Sequence, residues 1–166
     1  MDKLVFDNYG NLSPYEVIEI DIKSFQSFFV DNMENTEHRN KLFQDYLNYT
    51  KNLSKLVTNQ YFQWINGSFV TQKTTPRDID LVSFIDFRLI EKSHQELSSF
   101  VYPLSKEIYN VDAYIVKIYP DKDINAVYSK SDTLYWFHHF QKTRPNKNGE
   151  KYYKGFIKID LSHENL

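Results

Sequence analysis

Cysteine is absent from all 166 residues. Disulfides, thiolate catalysis and cysteine-ligated zinc are therefore excluded. No apolar run approaches the ~20 residues that a membrane-spanning helix needs. The opening MDKLVFDNYG has no apolar core of a signal peptide. A cytoplasmic protein without a membrane partner is the expectation. A strong charge of one sign is also missing. The net charge is −2, so no global field draws the chain to nucleic acid. Internal repeats and linker-like stretches are lacking, and one domain over 1–166 is expected.

What is present reads as globular: 41% hydrophobic and 25% charged residues. Aromatics make up 17%, with 13 Tyr and 13 Phe. Much of the core must be aromatic, with tyrosine hydroxyls at its edge. Charge is unevenly placed. Residues 1–40 carry eight acidic side chains against Lys3, Lys23 and Arg39. Residues 141–158 carry Lys142, Arg144, Lys147, Lys151, Lys154 and Lys158 against Glu150 alone. That basic segment, centred on 142–154, is expected beside a phosphate site or mobile above it.

Periodicity divides the domain into an N-terminal arm over 1–35, a core over 36–118, and a helix, basic loop and strand over 119–166. In the arm, a turn at 6–11 precedes an extended stretch from Tyr15 to Ile20. Asp21 is placed to cap a short helix through Val30. Leu42, Phe43, Tyr46, Leu47, Leu53, Leu56 and Val57 recur at threes and fours, predicting a helix over 36–59 with Thr36 as N-cap. Strands are expected over 61–66, 78–86, 111–118 and 154–161. A second helix is expected over 90–110, kinked or divided by Pro103. His138 and His139 are adjacent on a helical stretch, so their side chains diverge by about 100° and do not suit one ion. Asp86 reads as a solvated strand end, and residues 162–166 as a tail.

The chemistry concentrates in YFQWINGSFVTQKTTPRDIDLVSFID, from Tyr61 to Asp86. An apolar run reaches Gly67-Ser68. Nine residues intervene, and then Asp78 and Asp80 flank Ile79 at the start of an apolar strand. Residues i and i+2 of a strand share a face, so the two carboxylates project together. Such a pair repels and is costly to bury without a counter-charge. Oxygen-only ligands favour Mg²⁺ or Mn²⁺ over zinc. Trp64, just before the loop, either borders the nucleotide pocket or is a buried strand tryptophan. Arg77 either contacts a phosphate or pairs with a carboxylate.

Ile65, Gly67, Ser68, Asp78, Ile79 and Asp80, at this spacing, resemble the signature of the nucleotidyltransferase superfamily of the DNA polymerase beta type. The apolar residue stands one place early, before Asn66. The resemblance implies an α/β (α+β) domain, with a mixed β-sheet flanked by helices. It implies that Gly67 and Ser68 open a helix whose N-terminal amides hold phosphate, and that Lys73 and Arg77 assist. It places metals on Asp78 and Asp80. It extends to Val111-Asp112-Ala113, where Asp112 takes the position of the third carboxylate; the other reading of Asp112 is a strand-edge aspartate. Trp136, Arg144 and Lys154-Gly155 add a looser likeness to small, stand-alone bacterial proteins of this type.

The implied activity is metal-dependent transfer of a nucleoside monophosphate from a nucleoside triphosphate to a hydroxyl. The acceptor would be a protein, an RNA or a small molecule, and the base is left open. The alternative is an antitoxin-like or catalytically inert module of the same fold that pairs with a protein partner such as a toxin. Pro76-Arg77 departs from the serine that antitoxins of this type carry before the first aspartate.

Overall fold

A computed structural model describes residues 4–93 and 95–164. The chain starts with two short antiparallel strands, β1 (Val5–Phe6) and β2 (Leu12–Ser13). Between them Asp7 closes the expected turn, accepting from the N–H groups of Tyr9 and Asn11 at 2.8 and 2.9 Å. Strand β3 (Val17–Glu19) follows. Asp21 then caps α1 (Ile22–Gln26) by accepting from the Ser24 N–H at 2.6 Å. A π-helical turn over Ser27–Asp31 continues it and helps to bury Phe25, Phe29 and Val30.

The long helix α2 spans Thr36–Val57. Its N-cap is Asn35, in the left-handed region at φ 57°, where asparagine is tolerated better than most residues. Thr36, expected in that role, is instead the first helical residue and donates its hydroxyl to the Met33 carbonyl at 3.0 Å.

Five strands form one mixed sheet in the order β3-β7-β4-β5-β6. They include β4 (Phe62–Asn66), β5 (Ile79–Asp86), β6 (Val111–Ile118) and β7 (Phe156–Asp160). Strands β5 and β6 run parallel, β4 is antiparallel to β5 and β7, and β3 is parallel to β7. The N-terminal arm, the central region and the C-terminal segment therefore each contribute to one sheet. Strand β5 starts at Ile79, one residue later than its sequence pattern, so Asp78 stands at its entrance.

A parallel β5–β6 pair needs a crossover. The single helix expected there is three pieces: α3 (Phe87–Lys92), a 3₁₀ turn (Glu96–Phe100) and α4 (Leu104–Tyr109). Pro103 occupies the N-cap of α4, where it lacks no hydrogen bond that a helix interior would require. Residue 94, within the stretch expected as helix, lies outside the described residues. Asp86 is more than a strand end: it caps α3 through the Arg88 N–H at 2.9 Å and pairs with the Arg88 guanidinium.

Helix α5 (Ala126–Phe140) leads into the basic loop and then β7. Leu161–His163, partly expected as tail, form a 3₁₀ turn, and residues 165–166 lie outside the described residues. Alternation divides the sheet cleanly. Ile65, Ile79, Leu81, Ile85, Val111, Ala113, Ile157 and Ile159 face the main core with α2. Trp64, Val82, Phe84, Val116 and Phe156 face α5 through Phe140. No helix of the described residues is long and apolar enough to cross a membrane.

Candidate functional site

Parallel register aligns Asp80 of β5 directly with Asp112 of β6, and antiparallel register aligns Asn66 of β4 with Asp80. Cross-strand partners share a face. All three polar side chains thus emerge on the α5 side, at one end of the sheet, in line with Val82 and Trp64. Asp78 lies two residues before Asp80, in extended chain. The structure brings the three aspartates expected from sequence into one electrostatic cluster. Burial, then the charges of Asp78 and Asp112, push the Asp80 carboxyl up to about 6. Burial also raises Asp112, with the neighbouring Tyr114 hydroxyl opposing the shift and Asp78 adding to it. Asp112 Oδ1 is buried with no hydrogen-bond partner.

Three cations answer these charges, from two elements. From α4, the Lys106 ammonium meets Asp78 Oδ2 at 2.5 Å. From the basic loop, Arg144 Nη2 lies 3.8 Å from Asp80 Oδ1, its side chain 91% exposed. Lys154, at the end of that loop, is buried; desolvation pushes its ammonium down to about 8, and the Asp80 charge opposes that shift. Its Nζ donates to the Gly67 carbonyl at 3.1 Å. The basic segment, expected beside a phosphate site or mobile above it, approaches Asp80 through Arg144 and Lys154.

Gly67 is required where it stands. Its φ is +78°, and a Cβ there would fall 1.7 Å from Asp80 Oδ2. The Gly-Ser turn is thus packed directly against the middle carboxylate. It does not, however, open a helix. Residues 67–77 form turns and loop, and Thr71 returns both its N–H and its hydroxyl to the Ser68 carbonyl. The expected phosphate cradle at a helix N-terminus is absent.

The physical reason lies in α2. Arg39 is fully buried, and its guanidinium donates to the carbonyls of Phe29, Phe69, Thr71 and Lys73 at 2.7–2.8 Å. Three of those carbonyls belong to the loop. They are turned inward to a cation and are not free to close helical bonds. Phe69 and Val70 are buried in the core at the same time. The Lys73 and Arg77 side chains are exposed, and neither joins a carboxylate of the trio in a hydrogen bond or ion pair. Of the four residues expected to hold nucleotide, Gly67 and Ser68 are at the site; Lys73 and Arg77 are not brought into contact with it.

Sequence reasoning missed Lys106, Tyr114 and Asn66. Lys106 sits in a short helix whose position depends on the broken crossover, so no local pattern marks it. Tyr114 was legible in principle, as the same-face neighbour of Asp112 two residues along β6. Trp64 resolves as a strand tryptophan of the α5 face, 7% exposed, its indole N–H buried without a partner. His139 stacks on Tyr135. A cavity of about 380 Å³ does lie on the α5 face, between Trp64, Ile118, Tyr119 and Phe137. It is at the far end of β6 from Asp112, so it does not belong to the carboxylate cluster.

The residues can be tested for a metal. Three carboxylates with one orphaned, buried oxygen are the donor set of a hard divalent cation. As the side chains stand, with Asp78 taken by Lys106, no group of three or more His, Cys, Asp or Glu among the described residues is drawn tightly enough to hold an ion. The donor chemistry fits; closing the set requires Asp78 to leave Lys106.

The chain matches, over residues 4–160, a family described as a family of unknown function (DUF6932), and it belongs to that family. No curated protein and no solved structure matches it.

Proposed function

We propose that this DUF6932 chain is a metal-dependent nucleotidyltransferase of the DNA polymerase beta type, moving a nucleoside monophosphate from its triphosphate to a hydroxyl. The observation that carries the reading is the convergence of Asp78, Asp80 and Asp112 beside a glycine turn on one sheet end. Asp80 and Asp112, with Asp78 released, would hold Mg²⁺ or Mn²⁺. When bound, such ions stabilise charge on the attacking and leaving oxygens of an in-line displacement. The acceptor oxygen bonds to the α-phosphorus, the bond to the β-phosphate breaks, and pyrophosphate leaves. Asp112 orients the acceptor hydroxyl and accepts its proton as the new bond forms. Lys154 and Arg144 balance phosphate charge, and the bare Cα of Gly67 lets the Asp80 carboxylate pack against the turn.

A second reading has its own observation. The Lys106–Asp78 ion pair neutralises the first carboxylate without any metal, and α5 exposes Val127, Tyr128, Leu134 and Tyr135 to solvent. Both features suit an antitoxin-like, inert module that binds a protein partner.

One experiment separates the readings. The protein is incubated with each radiolabelled nucleoside triphosphate and Mg²⁺ or Mn²⁺, with cell lysate as acceptor. Label transfer that disappears in Asp112→Asn, while thermal stabilisation by metal–nucleotide persists, supports the enzyme. No transfer and no stabilisation by any metal–nucleotide pair supports the inert module.

A further inference from the structure

A row of aromatic rings starts beside Asp112 and runs across the α5 face. Tyr114 stands two residues from Asp112 on the same face of β6, about 7 Å along the strand. Tyr102 stacks on one side of it at 6.1 Å between centroids, and Trp136 of α5 packs on the other at 4.7 Å. Trp136 meets His139 at 5.6 Å, and His139 stacks on Tyr135 at 5.9 Å. Tyr102 is 50% and Tyr135 61% exposed, so the row ends in open ring faces. Near His139 it enters the field of Arg144, Lys151 and Lys154; burial, then those charges, holds the imidazole below its usual range.

A five-ring row is longer than one nucleobase requires. Exposed aromatics interleaved with cations are how proteins hold single-stranded nucleic acid, by stacking bases and neutralising phosphates. The position decides which substrate is involved. Gly67 and Lys154 lie on the Asp80 side of the cluster, where the triphosphate belongs. The ring row starts on the other side, at Asp112 and its neighbouring Tyr114 phenol. A carboxylate and a phenol side by side match the vicinal hydroxyls of a ribose end, which DNA lacks.

Resting on the nucleotidyltransferase reading, we infer that the acceptor is the 3′ end of a single-stranded RNA. Its terminal hydroxyl lies at Asp112 and its last bases stack along Trp136 and Tyr135.

The test uses a 12-nucleotide oligoadenylate RNA, the same sequence as DNA, and a 12-base-pair RNA duplex. Binding is followed by fluorescence anisotropy of the 5′-labelled strands at low salt. The single-stranded RNA binds tightest. Trp136→Ala and the surface variant Tyr135→Ala each weaken it about tenfold, the loss of one stacked base, while Trp136→Phe retains most of the affinity. Thermal stabilisation by metal–nucleotide is unchanged in all three variants. RNA binding that ignores Tyr135→Ala and Trp136→Ala, or equal affinity for DNA or duplex, overturns the inference. Failure of metal–nucleotide to stabilise the wild type, with RNA binding intact, instead removes the transferase reading and leaves the ring row as an RNA site.

Discussion

The two faces of the sheet are built to different rules. On the α2 side, polar atoms in the core are matched apart from the Arg39 Nε–H. Gln63 accepts from Tyr46 and Thr50 at 2.9 and 3.5 Å and donates to Ser83 at 3.1 Å. On the α5 side, the Trp64 indole N–H, Asn66 Oδ1 and Asp112 Oδ1 are buried without partners. They are three of the four such atoms among the described residues, so the imbalance belongs to that face. The apolar clusters differ likewise: the α2 core is the larger, and the α5 cluster is small and mostly aromatic. Buried polar atoms are normally satisfied because leaving one bare costs about 1–3 kcal/mol. A face that tolerates three is less stable than it could be, and its carboxylate end carries the only cluster of like charges described above. One face holds the fold and the other carries the candidate chemistry.

Four substitutions break or sharpen that contrast. The largest effect is expected on the holding side. Arg39→Met removes the donor for four carbonyls and should cost roughly 3–5 kcal/mol, the usual loss on breaking a buried charged network. Urea unfolding measures it; a loss under ~1 kcal/mol would mean that the 67–77 loop does not depend on Arg39.

Next is Gly67→Ala, which sits at the join of the two faces. The left-handed φ alone costs about 1–2 kcal/mol, and the Cβ would collide with Asp80. Stability should fall by at least that amount, and any stabilisation by metal–nucleotide should vanish. A variant that folds and binds nucleotide normally would show that the turn does not shape the site.

Asp80→Asn acts in the opposite direction. The Asp80 carboxyl is raised from 3.8 to about 6 by burial and by Asp78 and Asp112. The folded state therefore holds a proton that the unfolded chain gives up. Stability is fully present below about pH 4 and declines as the pH rises through about 6. Removing the charge should stabilise the protein at pH 7 by on the order of 1–2 kcal/mol, offset in part by the loss of a counter-charge for Lys154. Melting temperatures between pH 4 and 8 should flatten in the variant. An unchanged pH profile would take Asp80 out of the charged cluster.

The smallest effect on stability is expected from Lys106→Met. Its pair with Asp78 is partly solvated, with side chains 32% and 23% exposed, so its contribution is below about 1 kcal/mol. Its effect on the site should be larger. With Asp78 released, the Mg²⁺ concentration that gives half of the nucleotide-dependent thermal shift should fall several-fold. A rise would show that Lys106 supports the carboxylates and does not compete for them.

Local rules made much of this legible before any coordinates. Strand β6 follows its alternation from Val111 to Ile118, and α2 follows its 3.6-residue period to within two residues of the expected end. The i, i+2 spacing of Asp78 and Asp80 is a property of extended chain, so their approach needed only the strand. The helix expected after Gly67 illustrates the limit. Residues 67–77 have no strong period of their own, and a cation 28 or more positions earlier took their carbonyls.

The sequence by itself therefore determined α2, the four longer strands and which side chains share a face, because those follow from backbone geometry within a few residues. It determined the aromatic core and the absence of thiol chemistry in the same way. Only the tertiary structure decided that Asp112 lies in register with Asp80, that Lys106 takes Asp78, and that Lys154 is buried against Gly67. Each of these joins segments far apart in the chain. Strand register, the break in the crossover and the desolvation of a lysine depend on how whole layers pack, and no local pattern encodes that.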